Sequence, residues 1–184
     1  MALSRNTHLG PDMHKKFAEE VQVYVARYSV SASAARGQGS PGLVSKARAY
    51  LGVAPLRDFA VKSPSRFSAV LDQHTLGLKL ALPRGARWGI ARKLLNIFLR
   101  NAFYTTYLRD RYHLDIAESL YEVPLDRIVG RRLMEAASTL PRWPGVKHLT
   151  PAISVAYQTA ARKVAENEGF APVHLDVAWW GGPR

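Results

Sequence analysis

Between Pro83 and Phe103 the chain passes from a turn into a long apolar helix, and that passage limits the folds open to it. Pro83, Gly85 and Gly89 punctuate the entry. Apolar residues then recur at helical spacing through Ile90, Leu94, Leu95, Phe98, Leu99, Ala102 and Phe103, so a helix starts near Gly89. Other stretches supply helices to pack on it. Phe17, Val21, Val25 and Tyr28 predict one from Pro11, with Asp12 as cap, to about Ser29. A short helical pattern covers Leu43 to Leu51, and a longer one covers Ser65 to Leu80 with Phe67, Val70, Leu71 and Leu78 on its apolar side. Ile153 to Glu168 is amphipathic, with Val155, Ala156, Thr159, Ala160 and Val164 spaced for burial, and Gly169 ends it. No alternation runs far enough to build a sheet. The fold class is therefore all-α, and 184 residues suffice for a single compact helical domain with a real core.

Charge narrows the partners. Lys and Arg outnumber Asp and Glu by 26 to 14, a net charge of +12, which argues for a polyanion: DNA, RNA or an anionic membrane. No apolar run approaches the length of a membrane span, and Met1 to Gly10 reads as a loose polar leader rather than a secretory signal, so a cytosolic or nucleoid location is expected. Zero Cys excludes disulfides, cysteine nucleophiles, thiolate zinc sites and cysteine-ligated iron–sulfur clusters. The six His occur singly, without a His-Glu-x-x-His pair, and there is neither a Gly-x-x-x-x-Gly-Lys-Ser/Thr loop nor a Gly-x-Ser-x-Gly elbow. No metal or cofactor is expected.

Two residues in this frame carry chemistry. Lys93 lies just inside the helix start, beside the unpaired N–H groups of its first turn and the cations Arg84, Arg87 and Arg92. Asp126 follows Val123-Pro124-Leu125 and stands at an N-cap, with Arg131 and Arg132 a turn further on. A nucleophilic amine with an acidic helper fits this pair. A solvated lysine and a plain helix cap fit it too. Asp72, Gln73, His74 and Thr75 read most simply as a solvated face, with Gln73 or His74 the candidates to reach a substrate, and Ser31 to Gly42 reads as a connection. Tyr104, Tyr107, Arg109, Arg111, Tyr112 and His113 suit either nucleic acid or a helix end packed on the core.

These motifs resemble those of the helix-hairpin-helix DNA glycosylases. Gly89-Ile90-Ala91-Arg92-Lys93 looks like the second half of that family's Pro-Gly-Val-Gly-x-Lys hairpin, with Ala91 where its last glycine is usual. Pro124-Leu125-Asp126-Arg127-Ile128-Val129-Gly130-Arg131 is similar to its catalytic Pro-x-Asp-x-x-Val-x-Arg segment. The separation of 33 positions between Lys93 and Asp126 most resembles the archaeal 8-oxoguanine branch, and the tail from Gly169 to Trp180 looks like that branch's closing helix. The resemblance implies a helix-hairpin-helix glycosylase fold in which Lys93 attacks C1′ and Asp126 assists. Asp176, Trp180, Ile97 and Gln73 would then line the base pocket, and Arg84, Arg87, Trp88, Gly89, Ala91, Arg92 and Arg131 would grip DNA. The expected partner is double-stranded DNA containing a modified base, bound by a monomer.

Ile97, one turn after Lys93, replaces the aromatic of the archaeal branch and leaves room for a bulkier base. A bacterial relative that excises glucosylated hydroxymethylcytosine from T-even phage DNA fits that room, which implies anti-phage defence. Excision of 8-oxoguanine in repair is the alternative, and a non-catalytic basic DNA- or RNA-binding module needs only the cations. Pro144-Gly145-Val146-Lys147 is a second hairpin-like stretch, but His148-Leu149-Thr150-Pro151 interrupts the helix that Lys147 would have to begin.

Overall fold

The computed structural model describes residues 11–35 and 41–180. Among these residues every regular element is helical and no strand occurs. Eight α-helices run in order: α1 Pro11–Ser29, α2 Leu43–Gly52, α3 Pro64–Ala81, α4 Trp88–Tyr104, α5 Thr106–Tyr112, α6 Arg127–Ala136, α7 Pro151–Glu168 and α8 Leu175–Trp180. Four 3-10 turns, at Leu56–Phe59, Leu114–Leu120, Val146–His148 and Pro172–His174, join them. The expected leader, Met1 to Gly10, and residues 36–40 of the expected Ser31–Gly42 connection lie outside the described residues.

Local chemistry sets the helix ends. Ser63 caps α3 by accepting from the Arg66 N–H, with Pro64 in the first turn, and Thr150 caps α7 through the Ile153 N–H, with Pro151 beside it. Gly169 closes α7 at φ 78°, where the Gly169 N–H reaches Glu166 O and the Phe170 N–H reaches Ala165 O. That left-handed closure favours glycine because a Cβ would crowd the backbone there. The turn from α3 to α4 bends at Gly85, φ 90°, and the Ala86 N–H donates to Pro83 O.

Helix α4 is the axis of the fold. Its Ile90, Ala91, Leu94, Leu95, Phe98, Leu99, Ala102 and Phe103 are all buried, against α1, α3 and α5. Burying a side chain of this size contributes about 2 kcal/mol, so this one helix anchors the larger core. A second core, built by Val123, Leu125, Val129, Leu133, Tyr157, Ala161, Ala165 and Leu175, joins α6, α7 and the tail. Trp143 packs against both.

Between these cores residues 121–126 run without helical structure, so their backbone needs partners from elsewhere. Buried Gln158 supplies them: its Oε1 accepts from the Val123 N–H at 3.2 Å and its Nε2 donates to Val123 O at 2.9 Å. One α7 side chain thus fixes the segment that leads into Asp126.

Several expectations change in three dimensions. Phe17 and Tyr28 are exposed, so only the Val21–Val25 side of that pattern turns inward. His74 and Thr75 are buried rather than on a solvated face: His74 Nε2 donates to Asp58 at 3.2 Å, and Thr75 faces Arg92.

Candidate active site

Lys93 stands with Ile97 and Arg100 on the face of α4 that is only partly buried, the other sides of the helix being packed into the fold. Lys93 is half-buried, and its Nζ donates to Ala34 O at 3.2 Å in the stretch after α1. Burial pulls its amine below the ordinary lysine range, while the charges of Asp126 and Asp176 pull it back up. Two carboxylates, 33 and 83 positions downstream, are therefore within electrostatic reach of this lysine.

Each carboxylate has its own support. Asp126 caps α6, where its Oδ1 accepts from the N–H groups of Ile128 at 2.8 Å and Val129 at 3.0 Å. The capping role and the place beside Lys93 coexist, since a carboxylate at a helix N-terminus is held by N–H groups and can still act on a neighbour. Asp176 opens α8 and forms an ion pair with Arg100. Burial pushes its carboxyl above the usual carboxylate range; Arg100 opposes this, Asp126 adds to it, and Lys93 and the hydrogen bond from Arg100 oppose it.

The tail is fastened along the same face of α4. Tyr104 stacks on His174 with ring centroids 5.6 Å apart and only 4° between planes, and its hydroxyl lies 2.8 Å from His174 Nδ1. His174 Nε2 donates to Glu118 at 2.9 Å. Ile97 is half-buried on the same face, one turn from Lys93.

The expected DNA-contacting residues divide. Arg84, Arg87 and Arg131 are exposed, as are Arg127 at the α6 start and Lys147 and His148 in the 3-10 turn beside α4. Arg92 is a correction. Its guanidinium is buried: Nε and Nη2 clasp Glu122 at 2.9 Å each, and Nη1 reaches Asp72 at 2.8 Å and Thr75 at 2.9 Å. Asn96 adds a further hydrogen bond to Glu122, and the Arg92 guanidinium lies over the half-buried Trp88 ring. With its donors so engaged, Arg92 is an internal tie and not a phosphate ligand.

Gly89 and Ala91 are corrections of the same kind. Both are buried, and a Cβ on Gly89 would come within 2.2 Å of Val146 O. Gly89 is therefore needed for the close approach of the 146–148 turn and not for approach to DNA. Gln73 stands exposed on α3, outside the contacts that join Lys93, Asp126 and Asp176. Trp180 ends α8, but its side chain lies outside the described residues. Lys147 is exposed on a three-residue 3-10 turn rather than in a helix start.

Sequence reasoning missed Arg100, Glu122 and Gln158. The spacing Lys93, Ile97, Arg100 could have flagged the first as sharing the lysine's face; the other two carried no signal, because their partners are remote in the chain. Among the described residues no group of three His, Asp or Glu converges to hold a metal. No family model matches the chain, and no curated protein or solved structure matches it either.

Proposed function

We propose that the protein is a DNA glycosylase that takes a modified base out of duplex DNA and breaks its N-glycosidic bond. The observation that carries the reading is that half-buried Lys93 feels the charges of both Asp126 and Asp176. Motif likeness to the helix-hairpin-helix glycosylases supports it, as do the exposed cations Arg84, Arg87, Arg127 and Arg131.

The chemistry follows from these groups. Exposed arginines attract the phosphates without regard to sequence, and the target nucleotide swings out of the stack at a cost of a few kcal/mol, least for a damaged or poorly paired base. A lysine whose basicity is lowered by burial offers more free amine near neutral pH than an exposed one. Its lone pair attacks C1′, the C1′–N bond breaks with its electrons leaving on the base, and the departing base takes up a proton. Asp126 stabilises positive charge at C1′ and accepts the proton that Lys93 loses. Ring opening then leaves a Schiff base between Lys93 and C1′, which water returns to an abasic site or elimination converts to a strand break.

Half-buried Ile97 in place of an aromatic favours a base larger than 8-oxoguanine, with glucosylated hydroxymethylcytosine of phage DNA the first candidate and antiviral defence the corresponding role. Duplexes bearing that base, 8-oxoguanine or uracil, assayed for abasic sites, separate the substrates. Lys93→Gln and Asp126→Asn should each reduce excision at least 1,000-fold, on the order of losing a nucleophile or its helper, while DNA affinity changes little. Borohydride should trap wild-type protein on DNA and fail with Lys93→Gln. Retained excision in both variants leaves only a basic DNA-binding module.

A further inference from the structure

We propose that Arg100 is a positioning residue of this site: by pairing with Asp176 it holds that carboxylate off the Lys93 amine, so that Asp126 alone serves the lysine. The consequence for catalysis rests on the glycosylase reading, whereas the geometry stands without it.

Lys93, Ile97 and Arg100 follow one another at i, i+4 and i+7, which puts them on one face of α4 with Arg100 about 10 Å along the axis from Lys93. Asp176 meets that face from α8 and is subject to both cations. Arg100 holds it because its guanidinium is set in advance. Its Nε and Nη2 both donate to Asn101 Oδ1 at 3.2 Å, Asn101 Nδ2 donates to Ser29 Oγ at 3.0 Å, and buried Ser29 donates to Val25 O at 2.7 Å. A line of hydrogen bonds therefore runs from inside α1 to the fork that takes Asp176. The Lys93 amine is turned instead to the Ala34 carbonyl.

Among the described residues the charged neighbours are few. Facing Lys93 are Asp126 from the segment before α6 and Asp176 from α8, while adjacent Arg92 is turned away to Glu122 and Asp72. Facing Asp176 are Arg100, Lys93 and Asp126, with Tyr104, His174 and Glu118 beyond them along the tail. The side chains of Arg100 and Asp176 are only 16% and 18% exposed, so water screens the pair weakly. Two free carboxylates beside one lysine would hold it as ammonium, which has no lone pair to attack with. A guanidinium on one of them opposes that pull.

The test titrates Lys93 itself in the full-length protein. Its amine is dimethylated with 13C-formaldehyde, assigned by the signal missing in Lys93→Gln, and followed by NMR against pH. Arg100→Gln should move the Lys93 midpoint up by about one pH unit, the low end of the effect of an adjacent opposite charge, whereas Arg100→Lys should leave it within a few tenths. The double variant Arg100→Gln/Asp176→Asn should return the midpoint to the wild-type value or below, which a merely structural role for Arg100 would not produce. An unchanged or lower midpoint in Arg100→Gln, or a double variant still raised like the single, overturns the proposal. Should Arg100→Gln not fold, Asp176→Asn decides: a small downward shift is expected, and a drop of a full unit would mean that Asp176 acts on Lys93 unrestrained. Borohydride trapping on abasic duplex runs in parallel. Its failure with wild-type protein sinks the glycosylase reading and leaves the titration to judge Arg100.

Discussion

Lys93 exists at the expense of stability. Its amine is drawn below the ordinary lysine value of 10.5, first by burial. Between the lowered folded value and the unfolded one, the unfolded chain binds more protons, so stability rises with pH across that window. Lys93→Met removes the buried charge. Urea denaturation at pH 7 should find this variant more stable than wild type, and the advantage should shrink as pH approaches 10.5 because the wild-type amine then becomes neutral in both states. An advantage that does not vary with pH would mean that the lysine is not held against its charge. The position of Lys93 was legible in the sequence because helical spacing and a nearby turn are local signals. The fate of Arg92, one residue earlier, was not: Glu122 and Asp72 lie 30 and 20 residues away, and only folding shows that they take its guanidinium.

At the scale of elements, the helices were readable and their close contacts were not. Apolar spacing placed α1 at Pro11–Ser29 as found, and put α3 and α7 within two residues of their ends, since periodicity and capping residues act within a turn. What the pattern could not give was the packing of the 146–148 turn onto the first turn of α4. Gly89 reads as a hairpin glycine in sequence, yet its missing side chain serves Val146 and Leu149. Gly89→Ala sets a methyl against a backbone carbonyl and should destabilise the protein by about 1–3 kcal/mol, measured by denaturant unfolding. If the contact also sets the direction from which α4 presents Lys93, borohydride trapping should slow in the same variant. A neutral substitution would show that the two elements part easily.

Over the whole molecule, charge is sorted by location. Arg92 and Arg100 are spent on internal carboxylates, whereas Arg84, Arg87, Arg127, Arg131 and Lys147 remain exposed. If those five each meet a phosphate, log affinity for duplex DNA should fall against log salt with a slope of about −4 to −5. Arg84→Gln with Arg87→Gln should reduce that slope by about 2, read by fluorescence anisotropy. An unaltered slope would move the DNA to another face. No helix among the described residues is long and apolar enough to cross a membrane.

The double grip on residues 122 and 123 bears on how Asp126 can move. Glu122 is fastened to α4 by Arg92 and Asn96, and Val123 to α7 by Gln158, so the wall bearing Asp126 is bolted to two helices at once. The tail is held at several places as well: Leu175 is buried in the second core, Asp176 pairs with Arg100, and His174 stacks on Tyr104. Any shift of Asp126 relative to α4 must therefore carry Glu122 and Val123 with it or break one of those bolts.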